Sequence, residues 1–451
     1  MTELQLGGVW GRLGGLAAST LLAVGPAAAE LPASGPWNPV DGRKSAVAAL
    51  ADCEGGKLEA CRAGLRRALE LQPRHPEFLQ FLASAEERLG HGEAALEALA
   101  AIHEQHWELT FDPPDEWVAK VVARPEYQRL YRETAGLRVP VVRSSEAFRL
   151  PHRRMLAESV AYDAKTGDFF VGGVHERRIV RRSAKGEISD FVKPDSGALW
   201  SVLGMAADAP HRHLWVTTTA YPPMEGFAES LQGRSALVCF DLDSGRELAR
   251  FESSRPGGKG FNDVRVAPDG AVFVTDHEER PGSLYRLAPA ADLAGRKLEL
   301  FGDPDALGSP EGLTFSSDGR YLFVADYSYG IVRYEAATAK HVYLADPPGF
   351  SLVGLDHLDF HRGGLIAVQN GNRPHSVLRL PLSPDFGKIL GVEVLERGHP
   401  DYADPTLGVL VGDDLYYVAA SNWGRLGDDE KLPTGGEPLA EPLILRLPLG
   451  R

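Results

Sequence analysis

The sequence predicts a mainly β protein, a six-bladed β-propeller preceded by a small α-helical repeat domain. After Pro140, a register of three short β-like runs separated by Gly, Asp and Pro turns occurs six times. A further strand-like run, residues 146–150, stands before the first copy, and the sixth copy lacks a fourth strand. Between residues 45 and 106, by contrast, the apolar positions follow a helical period.

Length and composition agree with a soluble globular protein of more than one domain. The chain has 451 residues, whereas single domains cluster at roughly 100 to 150 residues. Hydrophobic residues make up 43% of the chain and charged residues 24%, which is ordinary for a folded protein. The formal net charge of -14 disfavours binding to nucleic-acid phosphates, so we expect no nucleic acid partner.

The N-terminal 29 residues have the character of a secretory signal peptide. An apolar, small-residue stretch at 13–24 precedes Ala27, Ala28 and Ala29, which form an A-x-A type cleavage site. Arg12 is the sole basic residue before that stretch, so an uncleaved membrane anchor remains an alternative to a cleaved signal peptide. No later stretch reaches the ~18 apolar residues of a membrane span. We therefore expect an exported protein, periplasmic or extracellular, with no membrane span in the mature chain and a linker at residues 30–44.

Residues 45–140 are predicted to form a helical domain and linking helices. Gly56 and Gly90 interrupt the helical pattern where turns are expected, and their 34-residue separation is the length of a tetratricopeptide repeat. The residues at the packing positions resemble that family: Leu82, Ala83, Gly90, Ala95 and Leu99. Such helices stack and carry no chemistry, so the resemblance implies a possible protein partner for this domain.

Cys53 and Cys61 flank the first of these turns. In an oxidising compartment they could form one disulfide bridge. The alternative, two small residues packed between helices, is equally compatible with the sequence.

The propeller is predicted to span residues 144–451 and to close through an N-terminal strand. Residues 146–150 are expected to pair with the third strand of the sixth blade, because that blade otherwise has an open edge.

Four of the repeats open with a polar residue on the predicted innermost strand: Glu158, Asn262, Glu311 and Asp356. Innermost strands start at one rim of the central channel, so these side chains should converge. Three carboxylates without a counter-ion would repel and raise one another's pKa values. Calcium accepts roughly six to eight oxygen ligands in adaptable geometry. The pattern therefore predicts a site for Ca²⁺, or another divalent metal, with these four residues as ligands.

The same residues carry a resemblance to a known family. Segments 157–163, 261–263 and 355–358 are similar to the metal-ligand signatures of the senescence-marker-protein/gluconolactonase/luciferin-regenerating-enzyme family. The resemblance implies a six-bladed propeller with one divalent metal, commonly calcium, and frequently lactone or ester hydrolysis. It makes Glu158 the first-blade ligand, Asn262 a residue of the substrate pocket or metal shell, and Asp356 a metal ligand and general base.

Two positions depart from the family pattern. The fourth-blade ligand is often Asn in the family and is Glu311 here. Gly260 replaces the basic residue that precedes the third-blade Asn in sugar-lactone hydrolases, with Lys259 adjacent. The second departure weakens the case for gluconolactone as the substrate.

These features lead to two hypotheses of function. The first is an exported, metal-dependent hydrolase of small-molecule lactones or esters, in which the metal polarises the carbonyl and Asp356 or Glu311 deprotonates water. The alternative is a non-catalytic binding or scaffold protein with a structural metal in the channel and a protein-recruiting helical repeat. Hydrolysis that is lost with a chelator and restored by calcium separates the two.

Overall fold

The fold is described from a computed structural model of the chain. It describes residues 37–450 except 106, 110–115, 134–135, 137–138, 195, 198, 254–259, 278–281, 291, 294, 428 and 437. The predicted signal peptide, residues 1–29, and the first part of the predicted linker lie outside the described residues.

Six helices precede the propeller in this part of the chain: α1 (Pro39–Glu54), α2 (Leu58–Leu71), α3 (Pro76–Arg88), α4 (Gly92–His103), α5 (Glu116–Val122) and α6 (Pro125–Glu133). Helix α1 begins at Pro39, so part of the segment predicted as linker, 30–44, is helical. The Asn38 side chain accepts a hydrogen bond from the backbone N–H of Asp41 at 3.1 Å, and proline suits the first helical turn. These capping residues start the helix before its apolar pattern becomes visible.

Helices α1 and α2 pack closely as a hairpin. A Cβ on Gly64 would lie 2.7 Å from the Cβ of Ala49, so only glycine permits this approach. Cys53 and Cys61 form a disulfide across the turn, with Cα atoms 5.1 Å apart. Of the two alternatives that the sequence left open, the structure has the bridge.

The rest of the chain folds into six four-stranded antiparallel sheets arranged as a six-bladed propeller, which confirms the predicted fold class. Blade 1 contains β2 (Ala157–Asp163), β3 (Asp168–Gly173), β4 (Ile179–Arg182) and β5 (Ile188–Val192). Blade 2 contains β6 (Ser201–Asp208), β7 (His213–Thr219), β8 (Ser235–Asp241) and β9 (Glu247–Glu252). Blade 3 contains β10 (Phe261–Val266), β11 (Val272–Asp276), β12 (Ser283–Leu287) and β13 (Leu298–Leu300).

The remaining blades follow the same order. Blade 4 contains β14 (Pro310–Phe315), β15 (Tyr321–Asp326), β16 (Gly330–Glu335) and β17 (His341–Leu344). Blade 5 contains β18 (Leu355–His361), β19 (Gly364–Gln369), β20 (Ser376–Pro381) and β21 (Glu393–Arg397). Blade 6 contains β22 (Gly408–Val411), β23 (Asp414–Ala420), β24 (Leu443–Pro448) and the N-terminal strand β1 (Ser145–Arg149).

Strand β1 closes the ring by pairing antiparallel with β24. Glu146 lies opposite Leu445 and Phe148 opposite Ile444. Beyond the strand, the backbone N–H of Leu150 donates to the carbonyl of Pro442 at 3.0 Å. The sixth sheet is therefore assembled from both ends of the propeller segment, and the outer edge of β24 is covered.

The helices pack against blades 4 and 5, and the two parts share one apolar core. Leu65 and Phe78 of the helices belong to the same buried cluster as Phe323 and Leu355 of the propeller. Trp107 meets Phe350, in the connection between β17 and β18, edge to face with ring centroids 5.9 Å apart. Within the described residues, no helix has the length and apolar character needed to cross a membrane.

Candidate functional site

The four polar residues predicted at the channel rim occupy the same position in their strands. Each is the second residue of the first strand of its blade: Glu158 in β2, Asn262 in β10, Glu311 in β14 and Asp356 in β18. The first strands of successive blades neighbour one another around the ring. The fold thus sets the four residues at equivalent places on its inner wall.

At each of these positions the strand pairing is irregular. The register shifts around Glu158, between Ala157 and Ser159, and around Asp356, between Leu355 and His357. Blades 3 and 4 show the same irregularity around Asn262 and Glu311. A bulge leaves an extra residue out of the ladder and re-aims its side chain.

Threonine hydroxyls from neighbouring segments hold the bulged backbone. Thr406 donates to the carbonyl of Glu158 at 2.7 Å, and Thr275 of β11 donates to the carbonyl of Glu311 at 2.9 Å. The Thr217 hydroxyl bonds the carbonyl of Asn262. Carbonyls that the irregular ladder leaves without a strand partner are thereby satisfied.

Glu158 and Asp356 are buried, Glu311 is partly buried, and the three carboxyl groups affect one another's ionisation. Glu158 and Asp356 are each 6% exposed. Burial raises the pKa of Glu158 well above its usual range, and the charges of Asp356 and Glu311 raise it further. Burial raises the pKa of Glu311 to about 8, with the charge of Asp356 adding to it. The pKa of Asp356 is raised to about 6, again chiefly by burial. The structure therefore brings three mutually repelling carboxyl groups into one low-dielectric region.

Each carboxyl group accepts a hydrogen bond from a different N–H donor. Trp423 donates its indole N–H to Glu158, and Asn262 donates its amide N–H to Glu311. Asn370 donates to Oδ2 of Asp356 at 2.5 Å. Asn262 and Glu311 are thus in direct contact.

Several residues at the site lie outside the four predicted ligands. His277 follows β11 directly, and its charge lowers the pKa values of Glu158, Glu311 and Asp356. Tyr327 and Asn370 hold the equivalent place in blades 4 and 5, directly after the second strand. The residue directly after the second strand lies beside the start of the first strand, where the predicted ligands are. This position in the repeat could therefore have indicated further residues of the site.

His357 follows the predicted base but belongs to a separate network. Its Nε2 lies 3.1 Å from Oδ2 of Asp359 and its Nδ1 accepts from the backbone N–H of Gly408 at 3.2 Å. Arg265 forms an ion pair with Asp359 at 3.1 Å. These contacts brace the interior of the channel, beside a cavity of about 120 Å³ that Ser159, Asp263 and Arg265 help to line.

The donor set at the rim suits a hard cation, although its present arrangement does not form a ligand cage. Carboxylate and amide oxygens are the ligands that calcium prefers, and the raised pKa of Glu158 reflects anionic charge that a cation would offset. In the described part of the chain, no group of three or more His, Cys, Asp or Glu side chains is placed to hold a metal ion. Trp423 and Asn262 donate to Glu158 and Glu311 instead, so ligation through the oxygens that they hold requires these donor side chains to turn.

Comparison with protein families supports the resemblance inferred from the strand openings. Residues 156–347 match the family described as the SMP-30/Gluconolactonase/LRE-like region. The match covers blades 1 to 4 and includes Glu158, Asn262 and Glu311. Comparison with curated proteins gives no match.

Several solved structures are similar to the chain at low sequence identity. A gluconolactonase from Xanthomonas campestris has 17% identity and a TM-score of 0.44, covering 69% of this chain and 96% of its own. The calcium-binding protein regucalcin from Agrobacterium tumefaciens has 17% identity and a TM-score of 0.45, covering 68% and 93%. A luciferin-regenerating enzyme has 15% identity and a TM-score of 0.46, covering 68% and 94%.

Proposed function

Because residues 156–347 carry an SMP-30/Gluconolactonase/LRE-like region, we propose that the protein is a hydrolase of lactones or esters that depends on a divalent cation, calcium in the first instance. The cation is held at Glu158, Asn262, Glu311 and Asp356. The observation that carries this proposal is the set of three carboxyl groups, two of them buried and Glu311 partly buried, whose pKa values are raised chiefly by withdrawal from water.

Electrostatics gives the physical reason for a cation. Removing ionised carboxylates from water is costly unless they are paired or bind a metal. Among the described residues, His277 is a neighbour whose charge lowers the pKa values of all three carboxyl groups. Glu158 and Glu311 would ligate the ion through the oxygens that now accept from Trp423 and Asn262, and Asn262 would contribute Oδ1 of its amide.

Each residue of the site has its own role in the proposed hydrolysis. When bound, the cation polarises the substrate carbonyl and stabilises negative charge on its oxygen. Asp356 removes a proton from the attacking water, because Asn370 fixes one of its oxygens, Oδ2, and the other is available as an acceptor. Glu311 is the second candidate for this role. His277, at the end of β11, lies on the same rim and can interact with an anionic part of the substrate.

Export is the second part of the proposal. The Cys53–Cys61 bridge is typical of an oxidising compartment, which agrees with a cleaved signal peptide at residues 1–29 and a periplasmic or extracellular location. N-terminal sequencing of the protein recovered from the producing cell tests this: a mature start at Glu30 supports export, and an intact Met1 in the cytosol contradicts it.

Hydrolysis of a lactone and aryl-ester panel, with elemental analysis of the purified protein, tests the enzymatic proposal. We expect one bound divalent ion, activity lost with chelator and regained with calcium, and loss of both ion and activity in Asp356→Asn and Glu158→Gln. Glu396→Gln is the matched control, since Glu396 is a buried carboxyl group of β21 that accepts hydrogen bonds from Ser144 instead. It should keep the ion and the activity.

One outcome would contradict the hydrolase. If calcium binds tightly and no substrate of the panel is hydrolysed, the ion is structural and the propeller is a binding scaffold.

A protein partner for the helical domain, which the tetratricopeptide resemblance suggests, is tested by pull-down with and without residues 37–133. If every partner is retained without these residues, the helices do not recruit it.

A further inference from the structure

We propose that the helical domain is part of the site: it fixes the loop after β15 and, through Tyr327 and Asn370, sets the orientation of Asp356. This inference rests on the proposed function in taking Asp356 as ligand and base. Tyr327, Asn370 and the helical residue Gln72 are positioning residues in this scheme.

The helical domain holds the loop through Ser328. Gln72, at the end of α2, donates its side-chain N–H to the carbonyl of Ser328 at 3.0 Å. Arg43 of α1 donates to the hydroxyl of the same residue at 3.1 Å. Gln72 is fully buried and Arg43 is 8% exposed. Because these polar groups are withdrawn from water, they have little freedom to exchange partners.

Asp326 makes the loop rigid from the propeller side. Its Oδ1 accepts from the backbone N–H groups of Ser328 and Tyr329, both at 2.9 Å. Its Oδ2 accepts from the N–H groups of Gly308 and Ser309 at 2.7 and 3.1 Å. A displacement of Ser328 is therefore transmitted to the residue between it and Asp326, which is Tyr327.

Tyr327 connects blade 4 to blade 5. Its backbone carbonyl accepts from Gly354 N–H at 2.8 Å, and the carbonyl of Gly354 accepts from Gly371 N–H at 3.1 Å. A Cβ on Gly371 would lie 2.5 Å from the Cα of Gly354 and 2.7 Å from the Tyr327 hydroxyl oxygen. The three segments are in contact, with no room for a side chain at Gly371.

The side chain of Tyr327 sets the direction of the Asn370 amide. The Tyr327 hydroxyl donates to Oδ1 of Asn370 at 3.1 Å. The opposite end of that amide, Nδ2, donates to Oδ2 of Asp356 at 2.5 Å and to the carbonyl of Pro405 at 2.9 Å. With Oδ1 occupied by a donor, the N–H group must face Asp356. The path from Gln72 to Asp356 is thus continuous, with each contact of hydrogen-bond length.

Calcium titration of the full-length protein by calorimetry, together with kcat and KM for the best substrate of the panel, tests the path. We expect Tyr327→Phe to weaken calcium binding about 10-fold, the lower end for loss of a residue that orients a ligand, and to lower kcat more than it raises KM. Gln72→Met should weaken binding about 3-fold, as for coupling through a packed network. Ser328→Ala, which removes the hydroxyl that Arg43 bonds, should act in the same direction.

Tyr343→Phe is the matched control. Tyr343 lies in β17 of the same blade, and its hydroxyl donates to the carbonyl of Ala306 at 2.9 Å. Tyr343→Phe therefore also removes a hydrogen-bonding tyrosine hydroxyl, but one that is not part of the path from Gln72 to Asp356. Unchanged calcium affinity in Tyr327→Phe, or an equal loss in Tyr343→Phe, would overturn the proposal. If Gln72→Met and Ser328→Ala both bind calcium as the unaltered protein does, the helical domain plays no part in the site.

Hydrogen exchange in calcium-free protein separates this inference from the proposed function. Gln72→Met should increase exchange in peptides that cover residues 327–330 and 370–373, with no increase in Tyr343→Phe. If the unaltered protein binds no divalent cation, the proposed function fails, and the exchange measurement still decides whether the helical domain restrains the two loops. Unchanged exchange in both loops would contradict the path itself.

Discussion

The indole N–H of Trp423 donates a hydrogen bond to Oε2 of Glu158, which lies 265 residues earlier in the chain. Trp423 begins the short 3-10 helix Trp423–Arg425 after β23, whereas Glu158 lies at the start of β2. The contact therefore joins blade 6 to blade 1 at the rim, directly beside the candidate cation site.

This contact makes Trp423 a reporter of the cation. A divalent ion that ligates Glu158 competes for the oxygen that the indole holds, so calcium should change the tryptophan emission of the metal-free protein. We expect Trp423→Phe to remove most of that calcium-dependent change. Trp200→Phe, which alters a partly buried ring beside Arg234, should preserve it. A signal that survives in Trp423→Phe would mean that calcium binds away from Glu158.

The stability of the calcium-free protein should fall as the pH rises from about 4.5 to 8. Burial raises the pKa of Glu311 from 4.5 to about 8, so the folded state keeps a proton that the unfolded chain has released. Stability then decreases with pH across this window. Burial lowers the pKa of His75 from 6.5 to about 3, so this residue makes stability rise with pH between those two values. The pH dependence of the unaltered protein must therefore be compared with that of a variant that lacks the Glu311 carboxyl group.

Thermal unfolding in chelator across this pH range provides the measurement. Glu311→Gln should flatten the slope, because the group that titrates is absent. With saturating calcium the trend should reverse, because the ion requires deprotonated ligands. An identical slope in Glu311→Gln and the unaltered protein would show that this carboxyl group ionises normally.

The Cys53–Cys61 bridge should stabilise the helical hairpin. The two cysteines are eight positions apart, and closing a loop of this length is expected to contribute about 2.5 kcal/mol to the free energy of unfolding. Cys53→Ala with Cys61→Ala should therefore lower the unfolding temperature of the helices. A reductant should have the same effect on the unaltered protein and none on the double variant. Cys239→Ala is the control: this replacement of a buried free cysteine in β8 should leave the effect of the reductant on the unfolding temperature unchanged.

Gly371→Ala should destabilise the contact between blades 4 and 5. The added Cβ meets the backbone of Gly354 and the ring of Tyr327 at less than 3.0 Å, and forcing such contacts apart costs about 1 to 3 kcal/mol. Gly391→Ala is the matched control, because a Cβ there meets nothing within 4 Å. Chemical unfolding of the two variants gives the comparison, and equal stabilities would show that the loops have room to separate.

The six blades were predictable because each repeats one register. The second strand of each blade is buried against its neighbours, as in Val272–Asp276 and Tyr321–Asp326. Because buried strand positions are apolar, the strands are recognisable in the sequence as recurring apolar runs. The start of α1 at Pro39 was not predicted, since a capping side chain and a proline set it and the apolar pattern does not.

The site was predictable only along the first strands. Glu158 and Asp356 stand at the opening of a repeated motif, so their shared location follows from the fold. His277 lies directly after a second strand, the position that Tyr327 and Asn370 share in blades 4 and 5, but the residue type differs from blade to blade, so no repeated motif marks it. Trp423 begins a short 3-10 helix after β23, and no repeat places its side chain at the rim. The contact of Gln72 with Ser328 joins residues 256 positions apart, and no local feature of either segment indicates it.

The pairing of β1 with β24 determines how the two domains can be separated. A fragment that begins after Leu150 lacks the outer strand of blade 6 and exposes the apolar edge of β24, which invites aggregation. A fragment that begins near Ser144 retains a closed ring. Loss of function in the shorter fragment would therefore report an opened propeller, whereas only the longer one isolates what the helices contribute.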